Sequence, residues 1–180
     1  MNYSHQLPLI DDGDPIDDGD PIVEPLREAY KRANPSARKL LEAASAIWDG
    51  KPSQIKSPEI AAAMLADMME LDQEQMVVLC LSTKSTVLKQ ERVYKGTIDT
   101  TAIRVAEIFR PAIECNARGV IVAHNHPSGD AAPSPEDVRV TSIIQQAGEM
   151  LDIEVLDHII IGAHGHQSLR ERGFMTSGSN

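Results

Sequence analysis

Four side chains capable of metal or proton chemistry lie in one short run of the sequence, HNHPSGDAAPSPED. They follow the pattern H-x-H-x7-S-x2-D and are His124, His126, Ser134 and Asp137. Two neutral imidazoles and a carboxylate bind zinc in catalytic sites, where a fourth position stays open for water. At i and i+2 of an extended chain the histidines project to the same side, and Pro127 favours that conformation. The run therefore predicts a catalytic metal site.

The serine and the aspartate also have a purely structural interpretation. S-x-x-D before an apolar-periodic segment is typical of a helix N-cap box, and Pro135 suits the first helical position. Ser134 and Asp137 alone favour capping, because caps are common. A single H-x-H is likewise more often a loop than a ligand pair. The joint spacing favours the metal site, since a cap does not need the two histidines.

The motif and its flanks resemble a known family. H-x-H-x7-S-x2-D is similar to the JAMM motif of the MPN-domain metalloproteases, and GVIVAHNHPSGDAAPSPED, DHIIIG and SLRERGF resemble the RadC branch of that superfamily. The resemblance covers about residues 55 to 174. It implies a cytidine-deaminase-like (JAB/MPN) fold with Zn²⁺ held by His124, His126 and Asp137. It also implies a glutamate on an early strand and a serine, Ser134, that stabilises the oxyanion.

The resemblance locates the glutamate as well. The family pattern E-x-hydrophobic-x-hydrophobic-L-x-L matches Glu74 followed by the apolar run from Met76 to Leu81. Without the metal motif, a solvated charge at a strand start would be the ordinary interpretation of Glu74. Glu70 and Glu91 are weaker candidates, because neither has the right register to this strand.

Other residues with metal-ligand chemistry are expected to be structural. Asp130 is a rival carboxylate, but S-G-D is typical of a turn. His158, after Asp157, is expected to be a core histidine or one that supports a ligand. His164 and His166 form a second H-x-H and are expected at a surface hairpin tip. The chain lacks the H-x-E and P-C-x-x-C of zinc deaminases, and its contiguous H-N-H differs from the dispersed residues of HNH nucleases.

Composition restricts the class of protein. The 180 residues suit one compact domain with extra elements, and 42% hydrophobic content is ordinary for a globular protein. No run approaches the ~18 uncharged apolar residues of a membrane span, and no basic patch precedes an apolar run at the N-terminus. We therefore expect a cytoplasmic protein without membrane association. Cys80 and Cys115 form no C-x-x-C and are expected to be buried, reduced thiols.

The charge is unevenly distributed. The net charge is −10, but residues 1–22 hold six aspartates and no Lys or Arg, which leaves −4 for the rest. That balance lacks the basic surplus of proteins that bind the phosphate backbone, so direct nucleic-acid binding is unsupported. The acidic segment repeats D-D-G-D-P-I at 11–16 and 17–22 and cannot build a core. We interpret 1–22 as a disordered acidic tail rather than a calcium site.

The remaining chain divides into a helical appendage, 23–54, and a metal domain, 55–175. We predict a helix over 58–71 after Ser57, then a hairpin of MVVLCL and TVLKQERVYKG across Ser82–Ser85. A helix over 101–116, which Pro111 should bend or divide, precedes the strand GVIVA, which ends at His124. A helix from Ser134, the strand IEVLDHIIIG and a possible edge strand in QSLRERGF follow.

These elements predict an α/β fold, a mixed sheet flanked by helices on both faces, with the ligands at the C-terminal end of a central strand. Two helical stripes are expected to face the core. Their residues are Val105, Ile108, Phe109, Ala112 and Ile113 in one helix, and Val140, Ile144, Ala147 and Leu151 in the other.

The leading functional hypothesis is a zinc-dependent metallopeptidase that cleaves a peptide or isopeptide bond in a peptide or protein substrate. Glu74 would be its general base. Two alternatives remain: a DNA-repair-associated protein, from the link carried by the RadC name, and a non-catalytic metal-binding interaction module. The sequence predicts neither the physiological substrate nor the oligomeric state.

Overall fold

A computed structural model describes residues 54–96 and 104–176. The predicted acidic tail and nearly all of the predicted helical appendage lie outside these residues. The elements, in chain order, are α1 (Pro58–Met64), a 3₁₀ helix (Ala66–Glu70), β1 (Gln75–Leu81), β2 (Val87–Lys95), α2 (Val105–Glu114), β3 (Gly119–Asn125), α3 (Pro135–Leu151), β4 (Glu154–Gly162) and β5 (Gly165–Ser168).

Within the described residues, five strands form one sheet in the order β2-β1-β3-β4-β5. Only β3 and β4 run parallel; the other neighbouring pairs are antiparallel. Because α3 connects β3 to β4, these two strands form a crossover unit in which a helix covers one face of the sheet. Every residue of β3 is buried, as its continuous apolar run GVIVA predicts for a central strand. The mixed α/β sheet predicted from the sequence is confirmed.

Alternation along β1 divides the core into two layers. Met76, Val78 and Cys80 pack on the side of α2 and α3. Val77, Leu79 and Leu81 pack on the opposite side, against α1 and the 3₁₀ helix. Helices therefore cover both faces, as predicted. Neither α1, α2 nor α3, the α-helices of the described residues, is long and apolar enough to cross a lipid bilayer.

Two predicted helices differ in detail from those observed. The helix expected over 58–71 ends at Met64 and continues as the 3₁₀ helix after Leu65. Helix α2 runs through Pro111 without division. Ile113 is 59% exposed and Leu151 44% exposed, so their predicted core positions were wrong. Ile113 lies at the margin of its stripe, and Leu151 is the last residue of α3.

The predicted edge strand in QSLRERGF is displaced: the observed β5 begins two residues earlier and includes only Gln167 and Ser168 of that segment. Strand β5 ends at Ser168, and the chain then turns. The buried Asp157 causes this turn: its carboxylate accepts hydrogen bonds from Ser168 Oγ at 2.6 Å and from the Arg170 amide at 3.2 Å. Ser168 Oγ also accepts from the Glu171 amide at 3.0 Å. The Leu169 amide still donates to the His158 carbonyl of β4 at 2.9 Å, and beyond it these side-chain bonds take the place of the strand ladder.

Both cysteines are unpaired thiols. Cys80 is buried in β1, whereas Cys115, after α2, is only partly buried, so the expectation of a buried thiol is correct for Cys80 alone. Burial, with Cys115 nearby, raises the pKa of the Cys80 thiol to about 12. At neutral pH Cys80 is therefore a protonated, unreactive core residue.

Candidate metal centre

Three separate elements bring four ligand-type side chains together. Glu74 lies immediately before β1, His124 and His126 at the C-terminal end of β3, and Asp137 in the first turn of α3. One atom from each side chain lies within 4.8 Å of all the others, and no other such group of His, Cys, Asp and Glu exists among the described residues. The four residues could hold a metal ion.

The distances within this group match a tetrahedral site. His124 Nε2 lies 3.0 Å from His126 Nε2 and 3.1 Å from Asp137 Oδ1, and His126 Nε2 lies 3.4 Å from Asp137 Oδ2. Zinc bound at 2.0–2.1 Å holds tetrahedral ligand atoms about 3.3 Å apart. Asp137 meets the two histidines through different oxygens, and the three side chains lie close enough together to share one ion of this size.

A buried chain of hydrogen bonds determines the tautomer of His124. The Thr141 hydroxyl donates to the Asp137 carbonyl at 2.6 Å, so it must accept from His158 Nδ1, also at 2.6 Å. Burial holds the pKa of His158 well below its ordinary value, so this ring is neutral and its Nε2 carries no proton. That Nε2 accepts from His124 Nδ1 at 2.8 Å. The remaining nitrogen of His124, Nε2, therefore faces the site and is the one available to a metal ion.

A backbone carbonyl orients the ring of His126 in a similar way. Its Nδ1 donates to the Asp130 carbonyl oxygen at 2.8 Å, which leaves Nε2 to face the site. The Asp130 carboxylate instead accepts from the Ala132 amide at 2.9 Å and does not belong to the group. The rival ligand thus contributes its backbone, not its side chain. The hydrogen bond between His126 and Asp137 raises the pKa of His126, although burial acts in the opposite direction.

Ser134 and Asp137 form the predicted cap and belong to the site at the same time. The Ser134 amide donates to Asp137 Oδ2 at 2.7 Å, and the Asp137 amide donates to Ser134 Oγ at 3.1 Å. Burial favours a raised pKa for Asp137, but hydrogen bonds from His124 and His126 outweigh it and lower the pKa. Asp137 is therefore an ionised carboxylate. In the cap Ser134 Oγ is the acceptor, so its own proton is not used.

Glu74 lies farther from the histidines than Asp137 does. Its Oε1 is 3.9 Å from His124 Nε2, and its side chain is 18% exposed. This separation suits a carboxylate that contacts a water molecule beside the ion better than one that binds the ion directly. Neither of the weaker candidates joins the group. Glu91, on β2, pairs with Lys89 and with Arg110 of α2, and Glu70 ends the 3₁₀ helix.

The second H-x-H lies in a hairpin, as expected. His164 is exposed in the turn between β4 and β5, and His166 lies on β5. His158 was correctly expected to be a core or supporting histidine. Two polar contacts were not predicted, those of Thr141 and Asn125. The i+4 spacing of Thr141 from Asp137 is a signal for its bond to the Asp137 carbonyl.

We expect replacement of His158 to weaken metal binding without removing a ligand. His158→Leu loses the acceptor that orients His124, and changes of this kind typically cost about 10- to 100-fold in metal affinity. Competition for Zn²⁺ against a chelator measures the effect. His164→Leu, in the exposed turn, is the matched control and should bind Zn²⁺ normally. Equal affinities for the two variants would contradict the role of the buried hydrogen-bond chain.

Gly162 is expected to matter because the loop after His126 packs on it. A Cβ at Gly162 would lie 2.5 Å from the Gly129 carbonyl oxygen and 2.8 Å from the Ala131 amide. We expect Gly162→Ala to lower the free energy of unfolding by about 1–3 kcal/mol. It should also weaken Zn²⁺ binding, because the displaced loop contains the carbonyl that orients His126.

Gly148→Ala separates these two effects. A Cβ at Gly148 would lie 2.6 Å from the Ile153 carbonyl oxygen, an equally severe contact at a position where α3 packs on β4. This variant should lose similar stability, measured by chemical denaturation, but bind Zn²⁺ normally. If both glycine variants bind Zn²⁺ equally well, the loop does not transmit strain to the site.

Comparison with known proteins shows which proteins share this domain. The family model described as the RadC-like JAB domain matches residues 55–174. A UPF0758 protein of Roseiflexus sp. (strain RS-1) is 52% identical over 120 residues, which cover 66% of this chain and 52% of that protein. A UPF0758 protein of Shouchella clausii is 41% identical over 163 residues, covering 85% of this chain and 71% of that protein. The chain spans about half the length of the first of these relatives.

Proposed function

The chain belongs to the RadC-like JAB domain family, and from this premise we propose that it is a zinc-dependent hydrolase that cleaves peptide or isopeptide bonds. In this proposal His124, His126 and Asp137 hold the ion, Glu74 transfers protons, and Ser134 stabilises the developing negative charge. The activity, the substrate and the partners of the whole protein are part of the same proposal.

One observation supports the metal above all others. The Nε2 atoms of His124 and His126 lie 3.0 Å apart, and the ionised carboxylate of Asp137 lies against both. The Nδ1 atom of each ring is hydrogen-bonded outside the site. Two imidazole nitrogens this close need a positive charge between them: in the metal-free protein the raised pKa of His126 favours a proton there, and a bound cation would take the place of that proton. A ligand set of two imidazoles and one carboxylate is typical of catalytic zinc, which keeps a position open for water.

The chemistry divides between the ion and the side chains. Bound zinc would lower the pKa of its water to about 7 and so make a nucleophile available at neutral pH. Glu74 accepts the proton that the attacking water loses as its oxygen bonds to the carbonyl carbon. Glu74 then donates that proton to the nitrogen as the C–N bond breaks, so the products are a carboxylic acid and an amine. The half-buried position of Glu74 suits this exchange.

Ser134 is suited to stabilise the attacked carbonyl oxygen. Its hydroxyl oxygen accepts from the Asp137 amide, which orients the side chain beside the ligand carboxylate. Its proton is then available to the oxygen on which charge develops. Loss of one such donor typically costs about 10²–10³ in kcat. The helix cap therefore also holds the Ser134 hydroxyl in position to donate a hydrogen bond.

Metal analysis and chelation test the proposal directly. The purified protein should contain one zinc ion per chain and cleave members of a peptide library. A chelator should abolish cleavage, and added Zn²⁺ should restore it. Cleavage that persists after complete removal of metal would contradict the mechanism. A zinc-loaded protein that cleaves no peptide or isopeptide substrate would favour a non-catalytic metal-binding interaction module instead.

A further inference from the structure

Asn125, between the two histidines, makes a set of contacts unlike theirs. Successive side chains on a strand project to opposite sides, so Asn125 points away from His124 and His126. It is 1% exposed at the end of β3. Its Oδ1 accepts from the Gln75 amide at 2.9 Å, and its Nδ2 donates to the carbonyls of Leu71 at 3.4 Å and Gln73 at 3.2 Å.

These bonds begin where the backbone ladder between β1 and β3 ends. The last register pair of the two strands is Met76 with His124. Beyond it, the side-chain amide of Asn125 takes the place of a peptide group and bonds to the backbone of the neighbouring segment. Two donors and one acceptor are needed for this set of partners, and an asparagine amide supplies both types.

The segment held in this way contains Glu74. Asn125 bonds to Gln73 and Gln75, the residues on either side of Glu74. The Gly96 amide donates to the Glu74 carbonyl at 2.9 Å. Glu74 itself precedes β1 and has no pair in the β1–β3 register. The backbone of Glu74 is therefore held by a side chain from the strand that also presents His124 and His126.

We propose that Asn125 is a positioning residue that fixes Glu74 relative to the two histidines. One rigid strand end then sets both the metal ligands and the proton-transferring carboxylate. The inference rests on the proposed function of Glu74. It adds that the residue between the histidines acts on catalysis through the backbone of residues 71–75 and not through the metal.

The first test separates turnover from metal binding. Asn125→Ala should keep the zinc content and KM of the wild type and lower kcat by about 10- to 100-fold, as expected for a misplaced catalytic group. Val120→Ala, on the same strand, removes buried apolar atoms far from residues 71–75 and should leave kcat unchanged. Asn125→Ser is the second variant if the alanine variant does not fold.

The second test needs no activity. Amide hydrogen exchange in the metal-free protein should become about tenfold faster or more at Gln75 and Gly96 in Asn125→Ala, because one bond is lost and its neighbour loosens. Val78, in the centre of β1, should remain protected. Exchange at Gln75 and Gly96 unchanged from wild type would overturn the inference, as would faster exchange with unchanged kcat. If the wild type cleaves nothing but exchange is faster in Asn125→Ala, the result would support the role of Asn125 in holding residues 71–75 and count against the proposed function.

Discussion

Glu74→Gln is expected to keep zinc bound and to lower kcat by about 10²–10⁴. The amide has the shape of the carboxylate but cannot accept the proton of the attacking water. Zinc content should not change, because Glu74 Oε1 lies 3.9 Å from His124 Nε2, beyond the spacing of the three closer ligand atoms. Zinc analysis and steady-state kinetics on the same preparation measure both quantities.

Glu91→Gln is the matched control for this change. Glu91 is a carboxylate on β2 that pairs with Lys89 and Arg110, and it lies outside the metal group. Its replacement should leave kcat and zinc content as in the wild type. If Glu74→Gln instead loses its zinc, Glu74 is a ligand and the assignment of the general base is wrong.

Asp137→Asn is expected to remove metal binding while retaining the helix cap. The amide oxygen can still accept from the Ser134 amide, but the negative charge that faces both imidazoles is lost. Zinc affinity should fall by more than the roughly 10- to 100-fold that is typical when a residue hydrogen-bonded to a ligand is replaced. Cleavage should disappear with the metal. Competition with a chelator and far-UV circular dichroism test the two parts. Normal zinc affinity in this variant would exclude Asp137 as a ligand.

The same substitution predicts a change in the pH dependence of stability of the metal-free protein. Hydrogen bonds from His124 and His126 lower the pKa of Asp137 from its ordinary value of 3.8, despite its burial. A lowered folded-state pKa adds stability above pH 3.8 that is lost as the pH falls below it. Chemical denaturation should therefore show Asp137→Asn less stable than wild type at pH 7, with the difference shrinking in acid. Glu149→Gln, at an exposed acid on the same helix, should show no such trend.

Much of the fold and of the site follows from local patterns in the chain. The apolar runs at 76–81 and 119–123 predict buried strands, and the S-x-x-D pattern predicts the start of α3. The two histidines and Asp137 lie within one strand end, one loop and one helix start, so their spacing alone suggests that they converge. Glu74 required the family resemblance, because it lies 50 residues before His124.

Contacts between distant parts of the chain could not be predicted in the same way. His158 lies 34 residues after His124, and their bond depends on the parallel register of β3 and β4. Asn125 reaches Gln75 across 50 residues because β1 lies beside β3. The exposure of Ile113 and Leu151, and the end of β5 at Ser168, likewise depend on what packs against each element.

The sequence by itself determined which residues could bind a metal, and the helices and strands that present them, because hydrophobic period and capping act over a few residues. The tertiary structure alone decided which tautomer each imidazole adopts and how the Glu74 segment is held. Sheet order and register set these features, since they bring together polar groups that have no relation along the chain.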